Sequence, residues 1–482
     1  MRSRRKAAVR RRLAIAGGAL ATLLALVLAA ILVTTSGKSA PPPLPLPGIG
    51  RPAKPGDPFA YVPSRESDFV ARAIAGTDHV LFVKSPGGAL ATAARVAAFR
   101  PMIDRATAGT GIDPNMLEAL VFLESAGRPD VIAGVDPVDA AGLTQILAST
   151  GQSPLGMHID LARSRRLTAQ IDIAAAAGQT ARVARLERER ASVDDRFDPR
   201  LALAATVRYL EIAEQDLGRA DLAFESYHMG IGNLQTVLND YDGGKPVPYP
   251  QLYFDTAPDH DRAAYELISS FGDDSSLYYW RLLGAERIMR LYRTDRAALG
   301  RLITLQEAAD TNAYVLHPPD SVHAFATPAA LDAAYAARTI LPLPSNVRAL
   351  GLIYDPGIGS LAHRVGAVPA LYRGLRAPSL DLLIELAARL RTLSSLPAST
   401  LTVTSAVSDV HYQQLLGISD PPAAAGWSFT IARRYVNPAQ AAALQAMLDR
   451  LQALNVIAWE RFPSEIEVTV ASDASQVLVH GP

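Results

Sequence analysis

The sequence contains no cysteine among its 482 residues. This absence excludes disulfide bonds, thiolate metal sites and cysteine nucleophiles. There is no excess of charge of either sign, because 47 basic residues balance 47 acidic ones. Together with the lack of a basic, aromatic-interleaved stretch beyond the first dozen positions, this balance argues against a protein that binds nucleic acid. Hydrophobic residues make up 49% of the chain, which is enough for folded domains with their own cores.

The N-terminus joins a basic segment to an apolar one. Leu13–Val33 contains no charged residue and is rich in Leu, Ala, Ile and Val. At about 1.5 Å rise per residue, a helix of this length matches the roughly 30 Å hydrocarbon core of a bilayer. The preceding cations should stay in the cytoplasm and place the rest of the chain outside the cell membrane; they are Arg2, Arg4, Arg5, Lys6, Arg10, Arg11 and Arg12. We expect a single-pass anchor within residues 1–35, with a cleaved signal peptide, including a twin-arginine export signal, as the alternative.

Proline content and hydrophobic periodicity divide the remaining sequence. Residues 36–58 are rich in proline and predict a stiff extended spacer. Residues 59–300 carry helical patterns and predict a mainly α domain, and 301–345 form a looser connecting segment. Residues 346–482 predict a smaller α+β domain.

Individual elements follow from the same patterns. Within the first domain, Leu161–Val193 predicts a polar helical pair, and we interpret its charged run 187–190 as a solvated face. In the second domain, the periods predict helices and strands as follows: helices at Leu380–Leu393 and Pro438–Leu454, and strands at Thr400–Ala406, Gly426–Arg433 and Glu465–Ala471.

An apolar helical face in the first domain ends in a carboxylate. Leu117, Leu120, Val121 and Glu124 recur at i, i+3, i+4 and i+7, so they share one side of a helix. Partial burial raises the pKa of a carboxyl group, and cleavage of a glycosidic bond needs an acid that is still protonated near neutral pH. Glu124 is therefore a candidate general acid. The alternative is a glutamate at the boundary between core and surface that pairs with Arg128 at i+4.

Four short motifs occur in order around this helix. They are Glu124-Ser125, Gly142-Leu143-Thr144-Gln145, Phe197-Asp198-Pro199 followed by Tyr209, and Ser226-Tyr227-His228-Met229-Gly230 followed by Gly232-Asn233. In this combination the chain resembles the soluble lytic transglycosylases, which are related to goose-type lysozymes. The usual methionine of the second motif is Thr144 here, the usual asparagine of the last motif is His228, and the helical pair stretches the spacing between them.

The resemblance implies a lysozyme-like fold for residues 59–300 and bacterial peptidoglycan glycan strands as the substrate. It implies that Glu124 protonates the oxygen of the β-1,4 bond between N-acetylmuramic acid and N-acetylglucosamine. Glu124 then acts as a base while the sugar's own 6-hydroxyl attacks the anomeric carbon and forms a 1,6-anhydro end. No second carboxylate is needed where the N-acetyl group stabilises the positive centre. Neither a cofactor nor a metal is expected.

The same resemblance assigns further residues to substrate binding: Ser125, Gly142, Gln145, Tyr227, Gly230 and Asn233. Ser125 and Tyr227 would support Glu124 and the N-acetyl group through hydrogen bonds, and Gln145 with the Gly142 backbone would line the groove. A buried tyrosine with a satisfied hydroxyl is the alternative for Tyr227. We assign no role to His228.

Two acids on the loop between the first motifs bear on the type of reaction. Asp136 or Asp139 would make the reaction a hydrolysis if either held a water opposite Glu124. We interpret both instead as turn-capping residues.

The second domain is similar to the zinc D-Ala-D-Ala carboxypeptidases in four segments: Thr402–Val407, Tyr412-Gln413, Gly426–Phe429 and Ile466–Val470. The positions that correspond to the zinc ligands of that family are Ala423, Thr430 and Glu467, and Ser408 stands in place of its arginine. In this register Ser464 stands at the position of the family's base. If this register is shifted by one residue, Glu465 stands at the position of the base, but Val468 then stands at the last ligand position. Neither register supplies a ligand set, so we predict a metal-free domain.

Two questions of function stay open in the sequence. The second domain either binds peptide stems or other cell-wall enzymes, or it is a packing module without a ligand. The alternatives to a lytic transglycosylase are a muramidase-type hydrolase of the same bond and a non-catalytic scaffold that binds peptidoglycan.

Overall fold

The computed structural model describes residues 59–272, 274–307, 312–318, 321–396 and 399–475. The predicted membrane anchor and the proline-rich spacer lie outside these residues. Among the helices of the described part, none is long and apolar enough to cross a membrane. The architecture is mainly helical, with a smaller sheet region toward the C-terminus.

The described chain forms two compact units. A helical unit contains residues 59–315 together with 445–456, and an α+β unit contains residues 316–444 and 457–475. The boundary after Val315 falls inside the predicted connecting segment 301–345, whose later part belongs to the α+β unit.

The helical unit consists of α-helices joined by short turns. Up to the insertion they are α1 Glu66–Thr77, α2 His79–Val83, α3 Ala89–Ala97, α4 Arg100–Thr107, α5 Pro114–Ser125 and α6 Ala148–Gln152. From the insertion onward they are α7 Leu161–Ala176, α8 Thr180–Ala191, α9 Pro199–Leu217, α10 Ala220–Met229, α11 Ile231–Asp242, α12 Tyr249–Asp255, α13 Arg262–Ser270, α14 Tyr278–Thr294 and α15 Arg296–Glu307; α16 Asn312–Leu316 follows at the boundary.

Helix α5 lies at the centre of the helical unit. The Asp113 side chain accepts the Asn115 N–H and Pro114 occupies the first turn, so the start of the helix is defined locally. Its apolar side chains Leu117 and Leu120 are fully buried and pack against α14. The burial of these side chains in the core fixes helix α5, and with it the last turn that carries Glu124.

The inserted hairpin of α7 and α8 confirms the predicted helical pair. Its charged run is not uniformly solvated, however, and the prediction was wrong for Arg190. This guanidinium is buried, donates to Thr168 Oγ1 at 3.1 Å and to the Asp130 carbonyl at 2.9 Å, and lies 3.7 Å from the centre of the Phe197 ring. Helical periodicity did not identify it, because its partners come from other segments.

A fully buried ion pair follows the hairpin. The Arg196 guanidinium donates to both oxygens of Asp194, at 3.0 and 2.8 Å. Its remaining donors bind the backbone carbonyls of Pro137, Asp139 and Ile146. One side chain thus fastens the loop that carries the Gly142–Gln145 motif.

The α+β unit is built on a five-stranded sheet. Its strand order is β2-β4-β5-β7-β6, with β2 Leu352–Tyr354, β4 Leu401–Ser405, β5 Ser428–Ala432, β6 Ile457–Arg461 and β7 Glu465–Val470. The β2–β4 pair is parallel and the other neighbours are antiparallel. A separate short pair joins β1 Leu341–Pro342 to β3 Gly374–Leu375.

Helices precede and connect these strands along the chain. They are α17 Pro328–Ala336, α18 Val347–Leu350, α19 Ala377–Leu393, α20 Val410–Leu416, α21 Pro421–Ala424 and α22 Pro438–Ala453, whose residues from 445 onward belong to the helical unit. The five elements predicted from periodicity in this part of the sequence are confirmed, each within a few residues. Strands β2 and β6 were not predicted.

We expect Arg196→Met to lower the free energy of unfolding of the helical unit by about 3–5 kcal/mol, because it leaves the Asp194 carboxylate buried without its cation. Chemical denaturation measures this loss. Arg163→Met is the matched control, since Arg163 pairs with Glu189 at the surface and such pairs contribute about 1 kcal/mol or less. A loss no larger than in this control would contradict the assignment of a structural role to the buried pair.

Candidate functional site

Glu124 lies in the last turn of helix α5 and is partly exposed. Its Oε1 atom accepts a hydrogen bond of 2.7 Å from the hydroxyl of Tyr278, the first residue of α14. Arg128 does not take up the alternative i+4 pair, because its Nε donates to the Ser125 carbonyl at 2.9 Å. The hydrogen-bond partner of the Glu124 carboxyl group is therefore the phenol of Tyr278 and not the guanidinium of Arg128.

Burial sets the acidity of Glu124. Desolvation raises the pKa of Glu124 to about 7, and the hydrogen bond from Tyr278 opposes part of this rise because it stabilises the charged form. Near neutral pH the group is therefore present in both protonation states. This is the condition for a residue that first donates a proton and then accepts one.

A raised pKa alone does not identify a catalytic acid in this chain. Burial also raises the pKa of Asp78 to about 7, and it raises that of Glu225 well above the usual range. Asp78 and Glu225 are only 1% and 0% exposed, however, so a substrate does not reach them. Glu124 is the one of these three carboxyl groups that combines the raised pKa with access to solvent.

The second and last motifs meet beside Glu124. The Tyr227 hydroxyl donates to the Thr144 carbonyl at 2.8 Å and lies 3.3 Å from Thr206 Oγ1. Burial raises the pKa of Tyr227, and the charge of the nearby Glu124 raises it further. Tyr227 thus lies close to the carboxyl group, and its partly buried hydroxyl joins the last motif to the second through the Thr144 carbonyl.

The side chain of Gln145 helps to hold the Gly142–Gln145 loop. The Gln145 amide nitrogen donates to the carbonyls of Gly142, at 2.8 Å, and Val131, at 3.2 Å. At Gly142 the backbone has φ +80°, and a Cβ there would lie 1.8 Å from the Arg196 carbonyl oxygen. Glycine is therefore required at this position by both conformation and space.

The remaining predicted binding residues lie at helix ends. Ser125 is buried, and its hydroxyl donates to the Val121 carbonyl at 3.4 Å and accepts from the Arg128 N–H at 3.3 Å. These contacts stabilise the end of α5, and Ser125 presents almost no surface to a sugar. Gly230 joins α10 to α11 with φ +87°, and Asn233 is exposed on α11.

Asp136 stabilises the intervening loop. Asp136 Oδ1 accepts the Val138 N–H at 2.8 Å, and both of its carboxylate oxygens pair with Arg165. The hydrogen bond from Arg165 lowers the pKa of Asp136. The turn-capping interpretation is confirmed for this residue.

Tyr278 is the main site residue that the sequence analysis missed. The only local signal is the run Tyr278-Tyr279-Trp280 at the start of a helix. Aromatic residues at such a position more often belong to a core, and Tyr278 is indeed largely buried. Its contact with Glu124 spans 154 residues, and no sequence pattern connects the two positions.

In the α+β unit, the positions that correspond to the zinc ligands do not supply a ligand set. Thr430 and Glu467 are direct partners across β5 and β7, and the Ser408 N–H donates to the Ala423 carbonyl at 3.2 Å. A methyl group at Ala423 provides no donor atom, so the set does not fit a tetrahedral zinc ion.

One other group of side chains has ligand-like spacing in the part of the chain that the structure describes. Ligand atoms of Asp255, His260 and Asp261 lie within 4.8 Å of one another. Asp255 Oδ2 already accepts the Tyr241 hydroxyl at 2.6 Å, and His260 Nδ1 lies 2.9 Å from the Asp255 carbonyl. These contacts account for the arrangement without an ion.

Comparison of the sequence with protein-family models finds no match, and comparison with curated proteins finds none either.

We expect Glu124→Gln to stabilise the protein at alkaline pH. Burial raises the pKa of folded Glu124 from its usual 4.5 to about 7, so the wild type loses stability as pH rises through this interval. The glutamine variant cannot ionise and should gain on the order of 2–3 kcal/mol at pH 8, and much less at pH 5. Urea denaturation at both pH values measures the difference. Glu266→Gln, which changes an exposed glutamate, is the control, and an equal effect of pH on the two variants would refute the raised pKa.

Proposed function

We propose that this protein is a peptidoglycan lytic transglycosylase that cleaves the β-1,4 bond between N-acetylmuramic acid and N-acetylglucosamine and leaves 1,6-anhydro ends. The observation that carries the proposal is the state of Glu124: partly exposed, with a pKa raised to about 7 and a phenol as its hydrogen-bond donor. The four motifs in order around it support the same assignment.

The proposed reaction uses Glu124 twice. In its protonated form Glu124 gives a proton to the leaving glycosidic oxygen, and in its ionised form it removes the proton of the 6-hydroxyl as that oxygen attacks the anomeric carbon. A pKa near the working pH serves both steps, because neither form has to be generated at a large cost. The Tyr278 hydroxyl orients the carboxyl group and stabilises its charge between the steps. The N-acetyl group of the substrate takes the role of a second carboxylate.

The remaining assignments belong to the same proposal. The helical unit has a lysozyme-like fold, with Gln145, Tyr227, Gly230 and Asn233 forming the groove for the glycan, while the buried Gly142 shapes the loop that carries Gln145. The N-terminal segment anchors the protein in the cytoplasmic membrane, with the working part on the outer side. The α+β unit is a metal-free module for peptide stems or other cell-wall enzymes.

We expect Glu124→Gln to lower the release of soluble fragments from purified peptidoglycan by at least about 100-fold, since it removes the proton donor. Mass spectrometry of the wild-type digest should show products that are one water lighter than hydrolysis products. Because the glutamine amide keeps the shape of the side chain and an oxygen for the Tyr278 contact, a loss of folded protein does not explain this result. Glu266→Gln should digest peptidoglycan at the wild-type rate.

Each alternative has its own outcome in the same assay. Products with reducing ends only, lost in Asp136→Asn as well as in Glu124→Gln, would identify a hydrolase and overturn the transglycosylase assignment. Binding of peptidoglycan without any release by the wild type would identify a scaffold. Undiminished release by Glu124→Gln would remove Glu124 from the mechanism.

A further inference from the structure

The exposed imidazole of His228 lies against the tyrosine that holds Glu124. The rings of His228 and Tyr278 are stacked, with centroids 5.2 Å apart and an angle of 25° between the planes. His228 Nδ1 lies 2.8 Å from the Ser275 hydroxyl, in the turn that leads into α14. One side chain of α10 therefore contacts both the turn and the first residue of the helix.

Buried groups hold the same turn from the core side. Glu225, on α10, accepts the Tyr279 N–H through Oε2 at 2.9 Å, and the Tyr249 hydroxyl donates to the Ser276 carbonyl at 2.7 Å. These contacts fix the backbone before and after Tyr278. They do not fix the orientation of the Tyr278 ring, which depends on the groups that contact the ring. His228 stacks on one of its faces.

We infer that His228 is a positioning residue for Glu124 and acts through Tyr278. Stacking restricts the rotation of the Tyr278 ring, so the hydroxyl stays directed at Glu124 Oε1 while the carboxyl group changes its protonation state. The asparagine that is usual at this position in the resembling family has no ring and cannot act in this way. The effect on activity rests on the proposed function, whereas the effect on the acidity of Glu124 does not.

The test is the pH profile of kcat/KM for glycan cleavage. Titratable groups facing the site are Glu124, Tyr278, Tyr227, His228 itself and, behind the turn, Glu225. Removing the ring in His228→Ala weakens the bond from Tyr278 that stabilises ionised Glu124, and the pKa of Glu124 then rises. We expect the alkaline limb of the profile to move up by about 0.5 pH unit and the maximum to fall about three- to tenfold. A fall in the maximum without movement of the limb would show a merely structural role and overturn the inference.

Two further variants isolate the stacking contact. His228→Phe keeps a ring on Tyr278 and removes the contact with Ser275, so the limb should return close to its wild-type position. Tyr278→Phe should move the limb in the same direction as His228→Ala, and the double variant should add little to the larger single effect. His411→Ala, which changes an exposed histidine of the α+β unit, should leave the profile unchanged. A limb in His228→Phe displaced as far as in His228→Ala would contradict the stacking mechanism.

A measurement without substrate separates this inference from the proposed function. The titration of Glu124 is followed by NMR in the full-length protein with ¹³C-labelled glutamate, and its signal is assigned by its absence in Glu124→Gln. His228→Ala should raise the observed pKa of Glu124 whether or not the protein cleaves glycan. An inactive wild type with this rise would refute the proposed function alone, and an active wild type without it would refute the inference alone.

Discussion

The packing of α14 against α5 is the contact on which the helical unit and its site both depend. At the start of α5, Glu118 is fully buried and paired with Arg100 and with Arg293 of α14. At the end of the same helix, Glu124 meets the first residue of α14, which offers a hydroxyl and no charge. Two glutamates less than two turns apart thus have different environments, because α14 presents an arginine to one and a tyrosine to the other, and α4 adds a second arginine at Glu118.

The loop that carries the second motif depends on a different kind of interaction. It has little regular structure, so its shape is set by the Arg196 guanidinium, by the Gln145 amide and by the absence of a side chain at Gly142. Arg196 is itself held by Asp194, whose second oxygen also accepts the Ser164 hydroxyl of the inserted hairpin. The insertion is therefore part of the support of the loop, although its own surface is largely exposed.

Periodicity predicted five elements of the α+β unit, because helices such as α19 bury one face and keep the other nearer the surface, and strands such as β7 begin with alternating burial. Periodicity failed for polar residues that are buried. Arg190 was assigned to a solvated face from its charged neighbours, but it is buried through an aromatic ring and a carbonyl from other segments. Likewise Ser125 matches a motif, and only its burial shows that its hydroxyl serves the helix end.

The sequence by itself determined the position of α5, the apolar face that ends at Glu124 and the order of the motifs, because these depend on residues a few positions apart. The tertiary structure decided which neighbours Glu124 has. In the folded protein Arg128, four residues away, binds a backbone carbonyl and not Glu124. The hydrogen-bond donor to Glu124 is Tyr278, which lies 154 residues away. The tertiary structure also placed His228 against that tyrosine. The acidity of a carboxyl group depends on solvent and on donors in space, and helix packing, not local sequence, brings those together.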